Sequence, residues 1–539
     1  MKRLLFQVHR WLGVVLALFM LLWFVSGLVI VYAPPTVQSR AQQLAHAELL
    51  LPQAGWLSLG EAWQRSAGQR QALAAKPAAE GAGPGAAANA KAARHAAGNS
   101  IADARLLRQD GEPLWLVENN LGQRFALSAV DGSLRSTSPE QALRIAAHWL
   151  GQPASALQHI DTFERDSTVR NLDDWRPFHR IAADDGTELL VSARTGEVVR
   201  VADRLDRTLF WAGNWLHLFR PLEALGWGES RRDVLTWVSG SALVATLTGL
   251  IVGWLRWRPG FGGRRTYAEG RVHPYRAFWF RWHFWSGLLG GIVALLWIAS
   301  GFLVNNPWQV FSAAAASREE LARYQGAALP VTMRDWQPAT LGATVPEEVV
   351  ELGWRRLGEQ ALLLASTRSG ERQAVADSGA PPRFDDAELF AAALRLGNNT
   401  PLAGHALQSD YDSYYYPRHH QTALDRPLPV LRVDLADSVG TRLYLDPQDG
   451  RLLLKQDNSR RAYRWLFSAI HHWDFGWLYA RPLWDGWMLL WIAFGLVLGA
   501  SSLVIGWQRL RKSLPVKRRA AAAEAAPAGG KLATENRVG

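Results

Sequence analysis

Cysteine is absent from all 539 residues. With it go disulfides, thiolate metal sites, Cys-ligated iron–sulfur clusters and covalent haem attachment through C-x-x-C-H. The nucleotide and hydrolase fingerprints are missing too: there is no G-x-G-x-x-G, no P-loop, no H-E-x-x-H and no G-x-S-x-G. No nicotinamide or flavin site is evident, so any electron passing through this chain comes from another protein, a quinone or a soluble donor. Large apolar side chains are lacking over "QALAAKPAAEGAGPGAAANAKAARHAAG" (71–98). Such a stretch buries too little surface to offset its chain entropy, and it reads as a linker.

Charge is missing from four long runs, at about 11–33, 234–255, 284–307 and 486–507. Each is long enough to cross the ~30 Å of hydrocarbon that a helix of ~20 residues spans. The first is too long for a signal-peptide core, and "VYAPPTVQSR" after it offers no convincing small-residue cleavage site, so it reads as a retained anchor. The net charge of +11 would suit nucleic acid, but its distribution argues otherwise. Residues 1–10, 256–282 and 508–539 hold 18 Lys/Arg against 3 Asp/Glu, leaving 41 against 45 elsewhere. Basic residues at the ends of apolar spans mark the cytoplasmic side. The expected order is a cytoplasmic N-terminus and first span (1–33), an external region (34–233), a second span (234–255), a cytoplasmic loop (256–282), a third span (283–307), a second external region (308–485), a fourth span (486–507) and a basic cytoplasmic tail (508–539). The partner implied by the basic charge is membrane lipid, not nucleic acid. Many of the 27 tryptophans sit at span ends, where aromatic belts form.

The external regions read as α+β. "EPLWLVENN" and "QRFALSAVDGSLRS" are strands meeting at turns. "SPEQALRIAAHWLG" is a helix with Ser138 as cap, Pro139 at its first position and Gln141 completing a capping box. "FHRIAADDGTELLVSARTGEVVRV" is a hairpin. The second region echoes this order: a helix in "PEEVVELGWRRLG", a hairpin in "ALLLASTRSGERQAVA", a helix capped near Asp385, then strands in "LPVLRVDLAD" and "TRLYLDPQDGRLLL". Asp131-Gly132, Thr195-Gly196 and Asp449-Gly450 mark the turns. The fold class expected is four transmembrane helices in an internally duplicated arrangement, with two external α+β domains.

The duplication extends into the spans. "HRWLGVVLALFMLLWFVSGLVI" (9–30) and "HFWSGLLGGIVALLWIASGFLV" (283–304) align without a gap and share their first histidine, His9 and His283. Together with "YLDPQDGRLL", "YDSYYYP" and "LFSAIHHWDFGWLYARPLWD…LVIGWQRLRK", these segments resemble the PepSY-associated transmembrane family. The likeness covers all four spans and the external hairpins, but not 71–98. It implies two PepSY-like external domains in a multi-pass protein of the bacterial inner membrane. Some members are similar to reductases that carry two b-type haems and reduce ferric siderophores on the periplasmic side.

Four histidines sit where such haems would need them. His9 and His283 begin spans one and three, at the cytoplasmic side. His217 in "NWLHLFRP" and His471 in "SAIHHWDFG" precede spans two and four, externally. Imidazole is a strong axial ligand, and its neutral form costs less near hydrocarbon than a charge. Two haems b with two axial imidazoles each would use all four. His472 competes with His471; spacing barely separates them, and the resemblance favours the first. At ~100° per residue, Gly287, Gly290, Ala294, Trp297 and Gly301 share a face with His283, leaving room for a flat macrocycle or for close helix approach. Trp23 and Trp297 lie fourteen residues past their histidines, about 21 Å along a helix. They are candidates for cofactor contact or for plain core and lipid packing. In "SDYDSYYYPRHHQ" (409–421), Tyr411, Tyr414, Tyr416 and Arg418 are candidate substrate contacts, or a strand with an aromatic core face.

Three functions stand open at this point. The first is an oxidoreductase passing electrons to a periplasmic ferric siderophore from a quinone or cytoplasmic reductase. The second is a haem relay to another redox partner. The third is a non-enzymatic PepSY protein that binds peptides or regulates a protease. The charge split makes a direct prediction: topology reporters fused within 256–282 and near residue 400 give opposite sides of the membrane. The same side for both would end the four-span arrangement.

Overall fold

A computed structural model describes residues 2–74, 98–169, 172–326, 329–341, 348–418 and 421–513. Most of the 71–98 linker and most of the basic tail lie outside the described residues. The chain divides into two units. One comprises Met1–Leu28, Leu216–Asn305 and Leu478–Gly539; the other comprises Val29–Trp215 and Asn306–Trp477.

The first unit is helical. Lys2–Tyr32, Arg231–Arg256 and Leu483–Lys512 are each long and apolar enough to cross a membrane. The third expected span is two helices, Phe278–Leu289 and Gly291–Val304, bent by 67°. The elbow is the pair Gly290-Gly291, the kind of small-residue pair at which helices kink. A Cβ on Gly290 would lie 2.8 Å from Phe494 Cβ, and one on Gly291 would lie 2.7 Å from Leu250 Cδ2, so neighbouring helices wedge into the bend. The first span is unbroken, and the third therefore does not copy it. Glycines also seat the fourth span on the first: a Cβ on Gly499 would come within 2.9 Å of Leu21 Cα. In lipid, where apolar surface alone gives helices no reason to associate, such close backbone approach is what packs them.

The second unit is α+β and contains fifteen strands among the described residues. They are β1 (Ile101–Gln109), β2 (Glu112–Asn119), β3 (Arg124–Ser128), β4 (Leu134–Arg135), β5 (Leu157–Phe163), β6 (Phe178–Ala183), β7 (Glu188–Ser192), β8 (Val198–Ala202), β9 (Val349–Leu357), β10 (Gln360–Thr367), β11 (Arg372–Ala374), β12 (Leu402–Gln408), β13 (Val430–Leu435), β14 (Arg442–Leu445) and β15 (Leu452–Gln456). β5 to β8 and β12 to β15 form two four-stranded meanders. The capped helix Pro139–Leu150 packs on the first through Ala142, Ile145 and Ala146. Asp386–Leu396, capped by Asp385, covers the second through Leu389, Ala393 and Leu396. Gly132, Gly196 and Gly450 take positive φ in the three turns read from the sequence.

Two expectations change here. "PEEVVELGWRRLG" carries strand β9 instead of a helix; it pairs with β10 on one side and β1 on the other. All but one of its residues are buried, so the period-two alternation that marks a half-exposed strand is missing. That pairing also joins the two regions expected to be external, because β1 to β4 come from the first and β9 to β11 from the second. The result is one seven-stranded sheet, β11-β10-β9-β1-β2-β3-β4.

A buried charge network crosses the β1–β9 seam. Arg105 on β1 bonds Glu197 at 2.8 Å and Glu351 of β9 at 3.3 Å; Glu351 also takes Arg40, and Glu197 takes Arg124 at 3.4 Å. Burial opposes ionisation of Glu197, but Arg105 and Arg124 outweigh it and bring its carboxyl down to about 2. The folded-state value is depressed, so the stabilisation is present above the ordinary value of 4.5 and is lost as pH falls towards 2. It is worth about 3 kcal/mol at neutral pH. Urea unfolding of the β unit, followed by tryptophan fluorescence of the whole protein, should weaken across that window. Glu197→Gln should be less stable at pH 7 and should flatten the acid limb; an unchanged limb would count against the network.

Candidate functional site

In the helical unit the structure brings His9 and His283 together. Their ring centroids are 6.2 Å apart, with planes inclined by 40°. His9 Nδ1 lies 3.0 Å from the carbonyl oxygen of Ala245 on the second span. A carbonyl only accepts, so Nδ1 carries the proton. His283 Nδ1 lies 3.3 Å from the hydroxyls of both Ser501 and Ser502 on the fourth span. Each ring is thus held by a different neighbouring helix, and each uses Nδ1 for the purpose. Nε2 is the nitrogen this leaves for a metal, as in sites where a second-shell acceptor fixes tautomer and orientation. Imidazole–metal bonds of ~2 Å on opposite sides of one ion place ring centroids about 6 Å apart, so the spacing suits two axial ligands.

Gly249 makes room for the pair. A Cβ there would stand 2.6 Å from His9 Cε1. Gly249 is also the residue four after Ala245, so no side chain at that position covers the Ala245 carbonyl. Gly287 and Gly290, by contrast, meet the fourth span, with Leu498 at 3.5 Å and Phe494 at 2.8 Å from their would-be Cβ atoms. The 67° bend also breaks the straight face that ran from His283 to Trp297.

His217 is held in the same way. Its Nδ1 is 3.0 Å from Ser26 Oγ, and its carbonyl accepts from Trp23 Nε1 at 3.2 Å. Ser26 Oγ already donates to the Leu22 carbonyl at 2.6 Å, so it accepts from His217 Nδ1–H. Burial pushes the His217 imidazole down to about 4, which keeps it neutral at physiological pH. Trp23 stacks on Phe219 at 5.5 Å, while Trp297 meets Phe24 edge-on at 6.0 Å.

His471 belongs to the other unit, but its local chain repeats that of His217. Residues 203–219 and 457–473 each begin with an aspartate cap, Asp203 or Asp457. A short helix follows, Arg204–Phe210 or Asn458–Tyr463, then a π-helical turn, Trp211–Trp215 or Arg464–Ala469. The histidine comes fourteen residues after the cap in both. Two residues later an aromatic residue takes positive φ: Phe219 at 53° and Trp473 at 51°. In this register His471 matches His217, and His472 matches Leu218. The π-turns, which recur at functional sites, leave no mark in the residue pattern. The serine and carbonyl partners of the histidines were likewise missed, although Ser501-Ser502 is a visible polar pair in an apolar run.

The 409–421 patch is irregular chain, with no strand among its described residues. Tyr416 donates to Asp474, and burial together with that bond pushes its hydroxyl pKa up. Tyr414 accepts from Trp465 Nε1 at 3.2 Å, and Arg418 donates to Ser468 at 3.1 Å. Tyr411 is the exposed member, at 41%, with its hydroxyl on the Arg426 carbonyl. Most of the patch is therefore engaged with the segment that carries His471. Among the described residues no group of three or more His, Asp or Glu is placed to hold a bare metal ion.

Three apolar helices, a bent fourth pair and an α+β unit define a multi-pass membrane protein with a β-sheet domain. The chain belongs to the family of the PepSY-associated TM region, whose family model matches residues 6–381. No curated relative matches the chain. The His9 ring depends on the gap at Gly249 to reach the Ala245 carbonyl. Gly249→Val should push the His9 ring off the Ala245 carbonyl and weaken binding at that pair by ~10–100-fold. If the pair holds haem, a pyridine haemochrome assay reads the loss. Gly253→Val, one turn on, where a Cβ meets only Leu288 at 3.7 Å, should bind whatever the unaltered pair binds.

Proposed function

We propose that this protein carries electrons across the bacterial inner membrane through two non-covalently held b haems and delivers them to a periplasmic ferric siderophore. The observation that carries this reading is the His9–His283 pair, with its 6.2 Å ring spacing and both Nδ1 atoms tied to neighbouring helices. His9 and His283 are the ligands of the inner haem. His217 and His471 are the ligands of the second, a pairing supported by the recurrence of their flanking sequence and local conformation. Both termini are cytoplasmic in this arrangement, as the charge split requires.

Haem, when bound, supplies a one-electron ferric/ferrous couple. The residues of the chain do the rest. The Ala245 carbonyl and the hydroxyls of Ser501, Ser502 and Ser26 orient imidazoles and keep each proton on Nδ1. Four histidines shared by two haems would leave no position on either iron open to oxygen, which would favour electron transfer over ligand activation. The donor gives up one electron, and the Fe(III) of the chelate gains it to become Fe(II), for which a hard oxygen-donor siderophore has far lower affinity. The chain has no nucleotide fingerprint, so it does not oxidise NADH by itself.

An absorbance spectrum of the purified protein comes first: a red preparation with b-type bands supports the reading. A colourless one leaves the peptide-binding or protease-regulating alternative. Protein reduced with dithionite and freed of excess reductant should reoxidise on addition of a ferric hydroxamate chelate, and His217→Ala or His471→Ala should slow that reoxidation. Indifference to every ferric chelate, with a response to a redox protein, would make the chain a relay instead.

A further inference from the structure

The segment that leads to His471 holds a buried guanidinium with too few acceptors. Arg464 opens the π-turn Arg464–Ala469, and its side chain is 4% exposed. Nε donates to the Ser413 carbonyl at 3.0 Å, and Nη2 donates to the Asp474 carbonyl at 2.9 Å. Nη1 is buried and has no hydrogen-bond partner among the described residues. The adjacent carboxylate, Asp474, stands 3.7 Å from Nη2 and already accepts from Tyr416. An unmet donor on a buried cation is expensive and calls for an acceptor.

The surroundings add positive charge. Arg418 bonds Ser468 of the same π-turn and lies 3.8 Å from Asp474. Arg460 sits over the Tyr463 ring at 4.1 Å. Arg418 and Arg464 therefore share the Asp474 carboxylate, and burial together with the nearby Arg418 lowers the proton affinity of both Arg460 and Arg464. The corresponding segment before His217 differs, because Phe210 occupies the position of Arg464. Arg200 also has a buried nitrogen without a hydrogen-bond partner among the described residues, but it lies outside both histidine segments, and Glu188 and Asp166 act on it.

We propose that Arg464, with Arg418 beside it, holds a propionate carboxylate of the haem ligated by His471. This rests on the haem reading above. A guanidinium presents paired N–H donors that match a carboxylate, which is the group a non-covalent haem must have neutralised when it is buried. Arg464 precedes His471 by seven residues, across a π-turn and the helical turn after it, so the two lie within the ~10 Å that the same length of α-helix would span. That is the scale separating a haem's iron from its propionate oxygens.

The test uses the full-length protein in detergent, with two haems resolved by redox titration. Arg464→Met should shift one midpoint potential downwards, because a cation that offsets propionate charge favours the ferrous state, and should speed loss of that haem to apomyoglobin. The other haem should not move. Arg464→Lys should restore part of the shift. Arg418→Gln, a change at a more exposed side chain, should shift the same midpoint in the same direction by less, which guards against misfolding of the buried variant. Loading the unaltered chain with haem dimethyl ester, which removes the propionate charge, should raise that midpoint and speed loss of that haem as Arg464→Met does, with no further speeding of the loss in that variant. Unchanged midpoints with full haem content, or additive effects of ester and variant on that loss, would overturn the proposal alone. Unmoved haems with a raised KM for the ferric chelate would assign the carboxylate to the acceptor and overturn it as well. An unaltered protein without haem would remove the parent reading itself.

Discussion

The hydrogen bond from His9 Nδ1 to the Ala245 carbonyl joins two helices that otherwise meet through apolar packing, Leu16 with Ala242 and Ala245 among it. A helix carbonyl is normally flanked by the side chain four residues on; here that residue is Gly249, and the imidazole occupies the gap. The same logic holds His283 on Ser501 and Ser502, and His217 on Ser26. In a medium without water every polar group needs a partner supplied by the protein. The positions of the rings therefore follow from which helices can approach closely enough to supply one. Small residues at those contacts decide the geometry, and the geometry decides which nitrogen faces away.

The bend at Gly290-Gly291 follows from the same packing. Phe494 and Leu250 fill the space where Cβ atoms would sit, so the third span cannot run straight past its neighbours. His283 stays on the arm before the elbow, and Trp297 falls on the arm after it, against Phe24. A straight-helix projection from one to the other loses its meaning at the elbow, and the two apolar sequences that look alike end in different shapes.

In the other unit the equivalent constraint is electrostatic. Glu351 on β9 takes its partners Arg40 and Arg105 from residues 34–233, so the buried network is shared between the two halves of the sheet. Buried ion pairs add little net stability compared with apolar packing, but breaking one strands a charge and is costly. The network thus enforces register at the seam of the seven-stranded sheet. Farther along the chain, Asp474 gathers Tyr416, Arg418 and Arg464 around the segment that carries His471. The tyrosine-rich loop and the histidine are thereby parts of one structure.

Much of this was already settled by local chemistry. Uncharged runs of spanning length become helices because no other backbone conformation satisfies itself in lipid, and the Ser138, Asp385 and Asp-Gly signals act within a few residues of themselves. The family likeness and the four candidate histidines were legible for the same reason, as patterns carried by neighbouring residues. What the pattern left open was decided by contacts far apart in sequence. Strand β9 looks helical until β1 and β10 cover both its edges; the third span looks straight until Phe494 and Leu250 meet its glycines. A π-turn and a left-handed aromatic residue align His471, and not His472, with His217, a register that the residue pattern alone did not show. A sequence specifies which groups need partners, but only the folded chain shows which partners are near enough to reach.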